Sequence, residues 1–223
     1  MTNPTPIRDA ATIIVMRDTP EGRAVLMGQR GAGAVFMPGK FVFPGGAVDP
    51  VDQDVPLAAP LDPRCAARLQ QESTLSPESF AAAAIRELWE ETGQTIGAQA
   101  TWPDAPRGWR GYAKRGLRPS GAGLNFVFRA ITPPGRPRRF DARFFLADAA
   151  LLTGDPDNFD GAEDELAHLQ WVPLARARQF DLPFITQIVL AEIAALTPGQ
   201  VPESVPFFRN RDEDREVKRL GLA

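Results

Sequence analysis

The spacing of apolar positions along the chain predicts several strands, then a helix, more strands and a second helix. Short apolar runs on either side of the turn residues Asp18-Thr-Pro-Glu-Gly22 are typical of a strand hairpin that opens the fold. Apolar positions recur at helical spacing over residues 76–92 and 182–196, and Thr197-Pro-Gly199 ends the second helix. Strands are predicted at residues 12–17, 23–30, 41–43, 124–131, 142–147 and 169–172. This order predicts an α/β fold with a mixed sheet between helices.

Two segments lack a clear pattern. Residues 47–75 are rich in Asp, Pro, Ala and Gln and show only a short helical stretch at 63–71, so we interpret this segment as an insertion. Residues 102–123 form a second irregular region. Just before the insertion, Pro44-Gly45-Gly46 predicts a sharp turn, since proline lacks a donor and glycine tolerates positive φ. Ser76-Pro77-Glu78 has the composition of a helix start.

Composition narrows the class of protein. With 223 residues, 43% of them hydrophobic and 24% charged, the chain is expected to form a single globular domain over residues 1–223. A net charge of −3 and a pI near 5.3 argue against a nucleic-acid binder. One cysteine, Cys65, and one histidine, His168, exclude an internal disulfide and most catalytic triads. No stretch has the length of a membrane span or the form of a secretory signal, so we expect a cytoplasmic protein.

Three glutamates on the first long helix carry the candidate chemistry. Glu87, Glu90 and Glu91 are spaced i, i+3 and i+4, so their carboxylates project within an arc of about 100°. Like charges at this spacing repel one another, and Arg86 neutralises only part of the cluster. Mg²⁺ or Mn²⁺ prefers carboxylate oxygens, so a divalent metal site is predicted here. The alternative for an isolated cluster of this kind is a solvated acidic helix face.

The surrounding sequence resembles the signature box of the Nudix hydrolases. That pattern is Gly, five residues, Glu, seven residues, then Arg-Glu-aliphatic-x-Glu-Glu-x-Gly-aliphatic. Residues 86–93 match its second half, and Glu78 precedes Arg86 by the required seven residues. Two departures are present: Gly46 and Glu78 are separated by 31 residues instead of five, and Gln94 replaces an aliphatic residue. The first departure corresponds to a 26-residue insertion between the Gly-Gly turn and the helix.

The resemblance implies a fold, a reaction and roles for individual residues. The fold would be a Nudix α/β/α sandwich, and the reaction would be hydrolysis of a nucleoside diphosphate linked to another moiety. The metal ligands would be Glu87, Glu90 and Glu91, with the backbone carbonyl near Gly45 as a further ligand. The catalytic residues would be Glu87, Arg86, which orients the glutamates, and Glu165 as the base. For Glu165 the alternative is a solvated acidic loop.

The long insertion and the segments around Arg30 and Phe41-Val-Phe-Pro-Gly-Gly46 resemble the branch that contains the peroxisomal coenzyme A diphosphatases. Coenzyme A or an acyl derivative is therefore the first substrate hypothesis. Its 3′-phosphate requires cationic partners, which two basic clusters at residues 107–118 and 136–139 offer, unless each is a solvated surface. The candidate substrate-binding residues are Arg30, Arg115, Arg118 and Arg139.

Other interpretations stay open at this point. ADP-ribose, a dinucleotide or a nucleotide sugar is the next substrate hypothesis, and a Nudix-fold nucleotide sensor without catalysis is the rival class. The resemblance also allows a homodimer. The insertion at residues 47–75 would be either a lid on the substrate side or a dimer contact.

Overall fold

The computed structural model describes residues 5–196, 200–211 and 214–221. The strands are β1 Ile7–Thr19, β2 Gly22–Arg30, β3 Phe41–Val42, β4 Gly45–Ala47, β5 Gly97–Gln99, β6 Leu117–Pro119, β7 Asn125–Ile131, β8 Arg139–Asp148, β9 Leu166–Pro173, β10 Val205–Arg211 and β11 Asp214–Leu220. The helices are α1 Pro63–Gln70, α2 Pro77–Thr92, α3 Arg110–Lys114 and α4 Phe184–Ala194. Short 3₁₀ turns lie at Pro50–Asp54, Arg107–Trp109, Ala149–Leu151 and Leu174–Gln179.

The central sheet is mixed. Its strands follow the order β11-β10-β7-β8-β1-β2-β3, while β9 pairs with β2. β1 runs parallel to β8 from Ile7 opposite Arg139 to Met16 opposite Asp148. On its other edge, β1 pairs first with β4 and then with β2, both antiparallel. A separate two-stranded sheet joins β5 and β6.

Helices cover both faces of this sheet. Alternate residues of β1 point to opposite faces, so each face contributes to its own core. Ile13 and Val15 pack into the core that contains α2, whereas Ile14 and Met16 pack into the core that contains α4. The α/β/α sandwich expected from the sequence is therefore confirmed. The described residues contain no helix that is both long and apolar enough to cross a bilayer.

The helix boundaries agree closely with the sequence. The Ser76 hydroxyl accepts a hydrogen bond from the Ser79 N–H at 3.2 Å, and Gly93 ends α2 with φ of 74°. The short helix predicted inside the insertion forms as α1. The second long helix forms as α4, and the predicted stop at residues 197–199 lies outside the described residues. The opening hairpin and the four later strands are also present.

The chain bends at Pro44 as predicted, where β3, which pairs with β2, is followed by β4, which pairs with β1, but the bend uses no positive φ at the two glycines. Gly45 and Gly46 belong to β4. Their missing side chains permit close approach: a Cβ on Gly45 would lie 2.7 Å from the Ala11 carbonyl oxygen, and one on Gly46 would lie 2.5 Å from Glu87 Oε1. Glycine is therefore required here by packing against β1 and α2.

Other elements were missed. The irregular region at 102–123 contains α3 and β6, and a terminal hairpin, β10–β11, extends the sheet beyond β7. β10 and β11 show no regular alternation of apolar and polar residues, β6 has only three residues, and α3 has only five. These elements are therefore too short or too irregular to be identified by pattern alone.

Candidate active site

The three glutamates of α2 differ in their exposure. Glu91 is 2% exposed, while the side chains of Glu87 and Glu90 retain 12% and 29% of their surface. Burial is the largest influence on all three carboxyl groups and raises the pKa of each. The site thus concentrates acidic groups in a place where their charged forms are disfavoured without a positive partner.

Glu91 is the most buried of the three. Its Oε2 accepts a hydrogen bond from the Gly45 N–H at 2.8 Å, whereas its Oε1 is buried and has no hydrogen-bond partner among the residues that the structure describes. Desolvation first, and then the charge of Glu87, raise the pKa of Glu91 well above its usual value. A buried oxygen without a partner is costly, so this carboxylate is suited to a ligand that neutralises it.

Glu87 lies against the backbone of β4. A Cβ on Gly46 would be within 2.6 Å of all three atoms of the Glu87 carboxylate, so the glycine leaves the space that this carboxylate occupies. Desolvation raises the pKa of Glu87 to about 7, and the charges of Glu90 and Glu165 act in the same direction. Arg86 opposes this shift but does not cancel it.

Arg86 links the glutamates to the rest of the fold. Its Nη1 donates to Glu87 Oε1 and to Glu90 Oε2, both at 2.8 Å. Its Nη2 donates to the Ala47 carbonyl at 2.9 Å, and its side chain is 5% exposed. Because one buried guanidinium holds two carboxylates and a backbone oxygen of β4, Arg86 orients the cluster.

Asp52 is the strongest partner of Arg86, and sequence analysis missed it. This fully buried carboxylate accepts from Arg86 Nε at 3.0 Å and from Nη2 at 2.9 Å. Glu78, which the sequence pattern placed at the acidic position of the box, is instead exposed in the first turn of α2. Five residues separate Gly46 from Asp52, as the box requires. With Asp52 at the acidic position, the 26 extra residues of the box lie between Asp52 and Arg86 rather than between Gly46 and Glu78.

Glu165 and Arg30 meet beside the cluster. Arg30 Nη2 lies 2.9 Å from Glu165 Oε1, and Arg30 Nε donates to the Phe36 carbonyl at 3.0 Å. The loop that carries Glu165 contacts α2, since the Glu163 N–H donates to the Glu90 carbonyl at 2.8 Å. Desolvation is the main cause of the raised pKa of Glu87 and Glu91, and the negative charge of Glu165 is a minor one. The side chain of Glu165 is 56% exposed, so it also faces solvent.

The other candidate cations lie elsewhere. Arg115 donates to the Gly93 carbonyl at 3.1 Å, at the end of α2, and the Arg118 guanidinium lies 5.7 Å from the centre of the Trp102 ring. Arg139 is buried and donates to the carbonyls of Thr132 and Asn210. None of these three guanidinium groups contacts the glutamates of α2 in the described part of the chain.

The donor set fits a hard divalent cation. Carboxylate oxygens dominate the site, and no described residue hydrogen-bonds to Glu91 Oε1. Within the described ranges, however, no three acidic, histidine or cysteine side chains already converge as a ligand set, since Arg86 holds Glu87 and Glu90. A cation would therefore share these two carboxylates with Arg86, while Glu91 is available to it directly.

Comparison with known proteins shows the family to which this chain is related. The chain is 30% identical over 185 residues to the curated Caenorhabditis elegans protein named "Putative nudix hydrolase 7", a match covering 74% of this chain and 51% of that protein. This chain thus spans about half the length of that relative. A crystal structure of a NUDIX hydrolase from Alicyclobacillus acidocaldarius superposes with a TM-score of 0.63 at 28% identity, covering 86% of this chain and 93% of the other. The NUDIX domain profile matches residues 6–192, and the chain therefore belongs to the Nudix family.

Proposed function

We propose that this chain hydrolyses the diphosphate bond of a nucleoside diphosphate linked to another moiety, with a divalent cation as cofactor. The observation that carries the proposal is the buried Glu91 carboxylate. One of its oxygens is hydrogen-bonded, and the other has no partner in the described part of the chain. Nudix hydrolases generally use divalent metal ions, and this site offers the oxygen ligands such ions prefer.

Glu87, Glu90 and Glu91 would hold Mg²⁺ or Mn²⁺, and the backbone oxygen at Gly45 is the further candidate ligand. When bound, the cation neutralises diphosphate charge and promotes ionisation of the attacking water. Arg86 orients two of the glutamates through its 2.8 Å contacts. The water oxygen forms a bond to one phosphorus, and the bond from that phosphorus to the bridging oxygen breaks.

Glu165 is the proposed general base. Its side chain is 56% exposed, so solvent water can reach it, and a general base must be within hydrogen-bond reach of the proton it removes. Arg30, 2.9 Å from Glu165, is the cation best placed to bind a phosphate oxygen beside it. Phosphate binding to Arg30 would compete with the ion pair and release Glu165 for proton transfer.

Coenzyme A or acyl-coenzyme A is the proposed substrate. Support comes from the segment around Arg30 and Phe41–Gly46 and from the long extra segment in the box, as in the coenzyme A diphosphatase branch. ADP-ribose, a dinucleotide and a nucleotide sugar share the same diphosphate group and are the alternatives.

A substrate panel tests the reaction and the substrate together. The protein is incubated with Mg²⁺ or Mn²⁺ and coenzyme A, acyl-coenzyme A, ADP-ribose, NADH, a diadenosine polyphosphate or UDP-glucose, and products are identified by mass spectrometry. We expect 3′,5′-ADP and a 4′-phosphopantetheine product, and no product in EDTA. Cleavage of another compound alone would contradict the substrate proposal. Binding without cleavage of any compound would favour the sensor.

Glu165→Gln tests the base separately. We expect turnover at saturating substrate to slow by a factor of about 10² or more, because general bases contribute about 10²–10⁴-fold to the rate. Asp164→Asn removes an adjacent exposed charge and serves as the matched control. If the two variants turn over substrate at the same rate, Glu165 is not the base.

We also propose that the protein is cytoplasmic and that two copies of it assemble. The only cysteine, Cys65, is a free, buried thiol, which is compatible with the reducing cytoplasm. We propose a homodimer acting on a small-molecule substrate rather than on nucleic acid. Light scattering of the purified protein tests the dimer, and a monomer mass would contradict it.

A further inference from the structure

A second region of the molecule is strongly cationic. Residues 97–119, which contain β5, α3 and β6, carry five Lys or Arg residues and one acidic residue, Asp104. The whole chain has a net charge of −3, so positive charge is concentrated in this segment. Such segregation raises the local concentration of anions.

An open groove of about 860 Å³ lies between α3 and the β5–β6 hairpin. We call it the basic groove, and its lining includes Gln99, Thr101, Trp102, Arg110 and Lys114. We propose that the basic groove is a second binding site, separate from the carboxylate cluster, which takes the phosphate groups of a nucleotide.

The two cations of the basic groove are placed to act together. Arg110 and Lys114 begin and end α3, four residues apart, so they lie on one side of the helix. Among the described residues, no Asp or Glu lines the groove. An incoming phosphate would therefore meet two cations without displacing a carboxylate, and an arginine can bind it through two parallel hydrogen bonds.

The remaining wall suits the uncharged part of a nucleotide. Gln99 and Thr101 supply amide and hydroxyl groups, while exposed Pro103 and the small exposed parts of the largely buried Trp102 and Ala105 supply apolar surface. The Arg118 guanidinium lies over the Trp102 ring and adds a further positive charge next to it. A groove that combines cations, hydrogen-bonding groups and some apolar surface matches the phosphates, sugar and base of a nucleotide.

The basic groove is separate from the glutamates. α3 packs against Trp89, since a Cβ on Gly111 would lie 2.8 Å from the Trp89 ring. Trp89 follows Glu87 by two residues on α2, so their side chains point about 160° apart around the helix. The groove thus lies on the side of α2 away from Glu87, and this site does not depend on the proposed hydrolysis.

Titration with ADP in EDTA tests the site, because chelation removes the cations that the carboxylate cluster needs. We expect saturable binding by calorimetry, with quenching of Trp102 fluorescence. Arg110→Gln combined with Lys114→Gln should weaken ADP binding at least tenfold. Arg64→Gln combined with Arg176→Gln removes two exposed arginines elsewhere and is the charge-matched control.

Two further measurements separate this proposal from the proposed function. Glu91→Gln should bind ADP in EDTA as the unmodified chain does, whether or not the chain hydrolyses any substrate. Trp102→Phe should lose the fluorescence change, whereas Trp171→Phe should retain it. Unchanged affinity in the Arg110/Lys114 double variant, absence of ADP binding at millimolar concentration, or tighter binding of single-stranded RNA than of ADP would each overturn the proposal.

Discussion

Asp52 and Arg86, 34 positions apart in the chain, form a buried ion pair with two parallel hydrogen bonds of 3.0 and 2.9 Å. Asp52 also accepts a hydrogen bond from the Asp49 N–H at 2.9 Å, which fixes the short turn that carries it. The pair leaves Nη1 of Arg86 directed at Glu87 and Glu90. The orientation of the candidate metal ligands therefore depends on a residue outside α2.

Asp52→Asn should lower both stability and activity. Removing one partner of a buried ion pair costs about 3–5 kcal/mol when the other charge is left uncompensated. We expect a smaller loss here, of about 1–3 kcal/mol, because Glu87 and Glu90 still neutralise Arg86 while the hydrogen bonds to the carboxylate are weakened. Thermal unfolding and steady-state kinetics measure the two effects. Glu78→Gln is the control, since Glu78 is exposed and its substitution should change stability by less than about 0.5 kcal/mol. A larger effect of Glu78→Gln than of Asp52→Asn would restore Glu78 to the acidic position of the box.

Glu91→Gln should separate folding from metal binding. The Gln side-chain oxygen can still accept from the Gly45 N–H, and burial already favours the uncharged form of Glu91 because it raises the pKa. We therefore expect the metal-free variant to unfold at or above the Tm of the unmodified chain. The rise in Tm with Mg²⁺ or Mn²⁺ should disappear, because stabilisation by a ligand follows its affinity for the folded state. An unchanged metal-induced shift would exclude Glu91 as a ligand.

Gly46→Ala should impair the site without unfolding the chain. The added Cβ would lie 2.5 Å from Glu87 Oε1, so the carboxylate must move. A displacement of about 1 Å at a reacting centre can lower the rate by about 10²-fold. Gly33→Ala is the matched control because a Cβ there meets nothing within 4 Å. Equal turnover rates for the two variants would contradict the role of Gly46.

We expect the buried thiol of Cys65 to make the protein less stable at alkaline pH. Burial raises the pKa of the folded thiol to about 11, from an ordinary value of 9.0. The folded state therefore retains a proton that the unfolded state releases, so this contribution is complete below pH 9 and is lost as the pH rises through 11. The loss is about 2–3 kcal/mol, since one pKa unit corresponds to about 1.4 kcal/mol. Cys65→Ala should unfold with a weaker dependence on pH between 9 and 11, as measured by urea denaturation.

The predictable part of the site follows from local rules. Helical periodicity and the Ser76 and Gly93 signals were enough to identify α2, and the 3.6-residue repeat alone brings Glu87, Glu90 and Glu91 to one side of it. Repulsion between these carboxylates indicated that a positive partner was needed. The opening hairpin followed from turn chemistry in the same way.

The tertiary structure decided which residues far apart in the chain contact one another. The Gly45 N–H reaches Glu91 across 46 positions, and Arg30 reaches Glu165 across 135. Only the five-residue spacing from Gly46 marks Asp52 in the sequence, whereas its burial and its pairing with Arg86 appear only in the folded chain. Likewise, the need for glycine at residue 46 appears only once β4 packs against α2. The sequence by itself determined which groups carry the chemistry; the packing of β4 and of the turn at Pro50–Asp54 against α2 decided their environment, since burial and distance depend on the folded chain.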